Sequence, residues 1–167
     1  VITQFRDKFR FLSNFYLAPI RYEGVVYPSV EHAYQATKCP EGRETIRRAT
    51  KCPEGRETIR RAPKPYKAKW LGRKFRARPD WDEIKIGVME DLVWLKFSMN
   101  PDLTKLLLDT GDEKIVEGQW RGTYWAHDNF WGNCECDACV NIPGRNHLGR
   151  ILMGVRERLR LQQIRGG

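Results

Sequence analysis

The chain has 167 residues, a length that suits one domain with a real core and leaves room for a small insertion. Hydrophobic residues make up 41%, and no apolar run approaches the roughly 20 residues a membrane helix needs, so a helical span is excluded and a soluble protein is expected. Thirty Lys and Arg against 21 Asp and Glu give a net charge of +9, much of it between Lys38 and Lys85, a field that suits nucleic acids, phosphorylated small molecules or plain solvation equally well.

The first ten residues are polar and charged, which gives no secretory leader. Five cysteines, an odd number, argue against a disulfide framework and for a reducing compartment, with a cytoplasmic location expected. From Phe9 to Tyr16 the aromatic residues alternate imperfectly, which predicts a short strand feeding a loop. Ser13 and Asn14 stand as polar residues among aromatics, so they either cap local backbone or face a ligand. Arg21 to Pro28, around Glu23-Gly24, predicts a tight hairpin.

Pro28-Ser29 are helix start signals, and Val30 to Lys38 follows at helical spacing. Val30, Ala33, Tyr34 and Thr37 share one face, while Glu31, Gln35 and Lys38 share another. Spacing alone describes an ordinary amphipathic helix with a first-turn glutamate favoured by the helix dipole. Then TKCPEGRETIRRA occurs twice in exact tandem, at 37–49 and 50–62. Two copies are too few for a solenoid, so one copy is expected in the fold and the other as extra surface helix or loop. Each copy predicts a proline break, at Cys39-Pro40 or Cys52-Pro53, and then a short basic helical turn, Arg43 to Arg48 or Arg56 to Arg61.

Tyr66 to Phe75 reads as a short basic helix ending near Gly72. Pro79-Asp80 starts a long helix from Trp81 to about Ser98, with Ile84, Val88, Leu92 and Leu95 on one face. Asn100-Pro101 opens another that Gly111 stops, and Lys114 to Glu117 suggests a brief strand. From Gln119 to Gly132 the chain is aromatic-rich, with Asp128 set among tryptophans, where desolvation would suit a carboxyl group to general-acid work near neutral pH. Asn146 to Leu159 repeats its apolar residues at 3.6 spacing as a final amphipathic helix. Cys134-x-Cys136-x-x-Cys139 offers three thiolates to zinc with His127, Asp137 or His147 as a fourth ligand. No second CxxC completes that set, which makes unmetallated loop cysteines the simpler reading. Phosphate-loop, dinucleotide, HExxH and nucleophile-elbow patterns are absent.

Several segments, in order, resemble one known family. They are Phe11-Leu-Ser-Asn-Phe-Tyr-Leu-Ala-Pro-Ile20, Tyr27-Pro-Ser-Val-Glu-His-Ala-Tyr-Gln-Ala36 with Lys38, Leu71-Gly-Arg73, Lys96-Phe97, Asn100-Pro101, Thr110-Gly-Asp112, Phe130-Trp-Gly132 and Asn146-His-Leu-Gly149 with Leu152-Met153 and Arg156. Together they resemble the YbiA-like or NADAR (NAD- and ADP-ribose-associated) superfamily over nearly the whole chain. The resemblance implies a mostly helical α+β single domain over residues 1–167 and an N-glycosidase that breaks a ribose C1–nitrogen bond. Its implied substrates are phosphoribosylated riboflavin-pathway intermediates or ADP-ribosylated guanine in DNA or RNA, with no cofactor and no membrane partner.

The family's catalytic glutamate falls on Glu31, and a recurring acid falls on Asp128. Ser13, Asn14, Phe15, Lys38, Arg73 and Asn146 are the expected substrate-binding residues, with Asn14, Lys38, Arg73 and Asn146 holding the ribose and phosphate, and Trp81 and Trp131 match aromatics near the family's pocket. The chain departs from the pattern at Asn133, where some relatives carry aspartate, and at the cysteine cluster, where they carry a glycine-rich loop. A single copy of the 13-residue repeat would restore the family's usual spacing to Leu71-Gly-Arg73. The reading from another class is a non-catalytic binder of ADP-ribose or nucleic acid.

Overall fold

Glu23 and Gly24 both adopt positive φ, 48° and 79°, the paired left-handed geometry that a two-residue hairpin turn needs to match the twist of its strands. They join β1 (Ile20–Tyr22) to β2 (Val25–Tyr27) in an antiparallel pair with Ile20 opposite Tyr27. The structure is a computed structural model that describes residues 1–40, 52–118 and 127–166. Among these, the regular elements are this hairpin, a 3-10 helix and six α-helices, an α+β fold dominated by helix. The chain divides into two compact units, Asn14–Lys96 and Val1–Ser13 with Phe97–Gly167.

In the unit Asn14–Lys96, α1 (Val30–Lys38) starts where the sequence places it. Ser29 is extended and its hydroxyl accepts from the His32 amide at 3.3 Å, satisfying one of the free donors of the first turn. Every residue from Val30 to Thr37 is buried, so α1 is enclosed on all sides and has no solvated polar face. Helices α2 (Cys52–Arg60) and α3 (Pro65–Gly72) pack against α1 and against each other. Gly72 permits the close α1–α3 approach, because a Cβ there would collide with the Gln35 side chain. The far end of α1 is tied to the segment before α4 (Trp81–Ser98) by the Arg78 amide, which donates to the Lys38 carbonyl at 2.9 Å. Val88, Met89, Leu92 and Val93 are the buried apolar stripe of α4.

The other unit carries the 3-10 helix Asp7–Leu12, α5 (Pro101–Leu108) and α6 (His147–Gly166). Phe9 to Tyr16 is therefore not a strand: its apolar residues follow the tighter three-residue turn, which buries the neighbours Phe11 and Leu12. Lys114 to Glu117 forms a single bridge instead of a strand, with Ile2 beside Ile115, and a second isolated bridge follows between Gly118 and Asn133. Leu148, Ile151, Leu152, Val155 and Leu159 are buried along α6, as the 3.6 spacing predicts. The aromatic residues Trp120, Tyr124 and Trp125 lie outside the described residues.

The duplication resolves into a composite. Thr37, Lys38 and Cys39 of the first copy finish and cap α1, while Cys52 to Arg60 of the second copy forms α2. Arg56 donates to the Cys39 carbonyl through Nε and Nη2 at 3.1 and 2.7 Å, and Ile59 is fully buried. Arg56 and Cys39 stand 17 residues apart, which is one 13-residue copy plus a single helical i, i+4 step. In a one-copy chain the equivalent arginine would stand four residues after Cys39, the spacing of a local helical cap. The first copy's Arg43 to Arg48 and the second copy's Lys51 lie outside the described residues. Because the repeat is exact, deleting either copy yields the same chain. That 13-residue deletion should fold with a melting temperature within about 4 °C of the parent, roughly the 1 kcal/mol scale for a domain of this size. Calorimetry checks it, and failure to fold would show that the inserted residues are structural.

Candidate active site

The first turn of α1 holds the candidate catalytic carboxylate. Glu31 is 5% exposed, its amide donates to the Asn14 carbonyl at 3.1 Å, and its Oε1 accepts from Gln35 Nε2 at 2.9 Å. The i, i+4 spacing of Glu31 and Gln35 that sequence presents as a polar face is thus a bonded pair inside the protein. A carboxylate here sits at the positive end of the helix dipole, which favours its charge. Asn14 comes alongside through its backbone, and its Nδ2 reaches Met89 Sδ at 3.4 Å.

Two buried acceptors in this neighbourhood, Asn14 Oδ1 and Gln35 Oε1, have no hydrogen-bond partner among the described residues. An unpaired buried acceptor costs about 1–3 kcal/mol, so native proteins keep few of them outside ligand sites. Lys96, on α4, is a functional candidate that the sequence reading missed. It is 1% exposed, its Nζ stands 5.5 Å from the centre of the Tyr16 ring, and burial pushes its pKa down to about 7. The signal that could have found it was its place in the Lys96-Phe97 pair of the family pattern.

The remaining predicted residues of this unit are spread around α1 and α3. Lys38 ends α1 half-buried, and Arg73 is exposed at the C-cap of α3. Trp81 is 7% exposed and tilted at 56° against Tyr34 with ring centres 4.8 Å apart, so it packs in the core and presents no open face for a base. Trp70, which sequence reasoning passed over, is 45% exposed on α3, with Lys67 and Lys74 ammonium groups 3.8 and 3.5 Å from its ring centre. Phe15 is exposed near Lys69.

In the other unit, Ser13 closes the 3-10 helix through its amide, which donates to Arg10. Asp128 Oδ1 accepts from the amides of Phe130 and Trp131 at 3.0 and 2.8 Å, so one carboxylate oxygen is spent on organising its own turn. Trp131 meets Phe130 edge-on, and Phe130 lies against His147 with centres 4.6 Å apart. The carbonyls of Phe130, Trp131 and Gly132 accept from the amides of His147, Leu148 and Asn146, capping the N-terminus of α6. Asn146 itself has positive φ, its Oδ1 accepts from the Glu117 amide at 3.0 Å, and its Nδ2 donates to the Ile115 carbonyl at 2.9 Å. Both ends of that amide serve the backbone, so the structure gives Asn146 a positioning task where a ribose contact was expected.

The NADAR domain model matches residues 3–160, and the chain belongs to the NADAR family. An N-glycosidase of Nostoc punctiforme is 37% identical over 150 residues, covering 89% of this chain and 84% of its own. The N-glycosidase YbiA of Escherichia coli is 32% identical over 162 residues, covering 94% of this chain and 86% of its own. A riboflavin biosynthesis protein of Vibrio vulnificus is 36% identical over 153 residues, and the match spans 89% of this chain but 35% of that longer protein. The solution structure of E. coli YbiA superposes with a TM-score of 0.74 at 30% identity, covering 98% of this chain and 88% of that one.

The fixing of α1 carries a pH dependence. His32 is fully buried, with Nδ1 2.7 Å from Ser29 Oγ and Nε2 3.0 Å from the Ala62 carbonyl, an arrangement that suits a neutral ring protonated on Nε2. Burial lowers its pKa below 6.5, partly opposed by the Ala62 bond. The unfolded chain then binds the extra proton first, so the stabilisation is present above pH 6.5 and is lost as pH falls through the folded-state value. Denaturant titrations from pH 7.5 to 5 should show stability falling in the parent, with a shallower fall in His32→Gln. Equal slopes would remove His32 from the account.

Proposed function

We propose that this chain is an N-glycosidase that hydrolyses the bond between ribose C1 and a base nitrogen, with Glu31 as its catalytic carboxylate. The observation that carries the proposal is the pairing of an enclosed, first-turn glutamate with unpartnered buried acceptors at Asn14 and Gln35. As the C1–nitrogen bond breaks, positive charge spreads over C1 and the ring oxygen. A fixed carboxylate shielded from water stabilises that charge far better than an exposed one. Ribose hydroxyls are the donors that Asn14 Oδ1 and Gln35 Oε1 lack. Water then adds its oxygen to C1, and the base departs with the bonding pair and takes up a proton. The candidates for that proton delivery are Asp128, the acid raised by sequence, and the buried Lys96, whose ammonium gives up its proton more readily than usual because burial pushes its pKa down.

The relatives carry N-glycosidase names, which weighs against the purely binding alternative. On the substrate, a phosphate on the ribose is compatible with the net charge of +9, with Lys38 and Arg73 as its proposed partners. The Vibrio relative is named for riboflavin biosynthesis, which is in line with a phosphoribosylated intermediate of that pathway as the proposed substrate. A second version, ADP-ribosylated guanine in DNA or RNA, is favoured by α3, where an exposed Trp70 flanked by Lys67 and Lys74 offers a stacking face beside positive charge.

Glu31→Gln keeps the size and the hydrogen bond to Gln35 while removing the charge. It should lower the rate of ribose release about 10³-fold, within the range of such losses, and leave the melting temperature nearly unchanged. Single-turnover release assays check this, and turnover near the parental rate would sink the assignment of Glu31.

A further inference from the structure

Residues 133–145 form a long excursion between the Phe130-Trp-Gly132 turn and α6, and it has almost no apolar interior of its own. Within it the buried side chains are Cys134 and Cys139, while Val140 and Ile142 are 69% and 52% exposed. What this segment buries is sulfur. Three thiols and one imidazole converge: His127 Nδ1 lies 3.7 Å from Cys134 Sγ, 3.2 Å from Cys136 Sγ and 3.2 Å from Cys139 Sγ. All four atoms fall within 4.8 Å of one another.

Hydrogen bonding alone gives no account of this cluster. A neutral imidazole nitrogen has one lone pair, and three weak S–H donors cannot share it. A tetrahedral zinc ion with bonds of about 2.3 Å to sulfur and 2.0 Å to nitrogen would put each sulfur about 3.5 Å from the nitrogen. The observed distances of 3.2 to 3.7 Å bracket that value. The backbone is already shaped for it. Cys139 N donates to the Cys136 carbonyl at 2.9 Å, the tight turn that brings the two thiols of a CxxC pair to one point, and Cys134 N is held by Asn129 Oδ1 at 2.8 Å.

The geometry points to a structural zinc site made by His127, Cys134, Cys136 and Cys139, closed by four protein ligands. Of the three fourth ligands that the spacing leaves open, the structure selects His127: it lies on the sulfurs, whereas the His147 ring lies against Phe130. The ion would replace the missing core of the 133–145 excursion. It would also pin His127, the residue before Asp128, so that the turn carrying Asp128 and Trp131 is clamped by metal on one side and by the α6 cap on the other.

The test is metal content and ligand spectroscopy, neither of which depends on catalysis. Chain purified under reducing conditions and saturated with zinc should hold about one ion per chain by plasma emission after gel filtration. Replacing the zinc with cobalt should give thiolate-to-cobalt charge-transfer absorption and the intense visible bands of a tetrahedral ion. Cys136→Ser, Cys139→Ser and His127→Ala should each lose most of the bound zinc, whereas Asp137→Asn and His147→Gln should keep it. Should the ligand variants fail to fold, the cobalt spectrum of the parent and zinc release on titrating its thiols with a mercurial carry the test. Zinc binding far below one ion per chain, a cobalt spectrum without thiolate bands, or a disulfide among the three cysteines under reducing conditions would overturn the site. Loss of zinc from Asp137→Asn but not from His127→Ala would overturn the choice of ligand.

Discussion

Helix α1 is buried on every side from Val30 to Thr37, so every polar side chain on it has to find its partner inside the protein. That constraint organises its surroundings. His32 bonds to Ser29 and to Ala62 beyond the end of α2, Thr37 returns its hydroxyl to the Ala33 carbonyl, and Glu31 is held by Gln35. The same enclosure shields the Glu31 carboxylate from solvent, the setting that the proposed stabilisation of a developing positive charge requires. Structure and proposed chemistry rest on one requirement: a helix with no solvated face must satisfy itself or hold a ligand.

Much of this was legible in the sequence. Pro28-Ser29, Pro79-Asp80 and Asn100-Pro101 mark helix starts through backbone chemistry that needs no tertiary context, and the structure begins α1, α4 and α5 there. Glu23-Gly24 likewise specifies its turn. The polar side of α1 was not legible, because Glu31 and Gln35 at i, i+4 look the same whether they face water or each other. Only packing separates the two cases. The strand expected near Phe9 fails for a related reason, since a few alternating aromatics fit a three-residue helical turn as well as a two-residue strand repeat.

Individual site residues show the same division. Family resemblance located Asn146, but its task became visible only with its bonds to Glu117 and Ile115. Trp81 looked like a stacking surface and is core, whereas Trp70 sits in an ordinary basic helix and its ring is exposed. Burial of Lys96 could not be read from a helix whose sequence carries other charged residues at similar spacing. The cysteines are the converse case. Their spacing left metal and no metal open, and the zinc proposal rests on what spacing does not show, the convergence of three sulfurs on one nitrogen.

The duplicated segment bears on the site through position alone. Glu31 lies before it, and α1 closes on the first copy's Lys38 and Cys39 while α2 is built from the second copy, so the helix that carries Glu31 is complete. The most direct measurement of the central claim is product analysis in water enriched in heavy oxygen, with ADP-ribosylated guanine DNA in one arm and a phosphoribosylaminopyrimidine in the other. The account predicts a free base and a ribose product carrying the heavy oxygen on C1 in at least one arm. No ribose release in either arm, or release without label at C1, would contradict it.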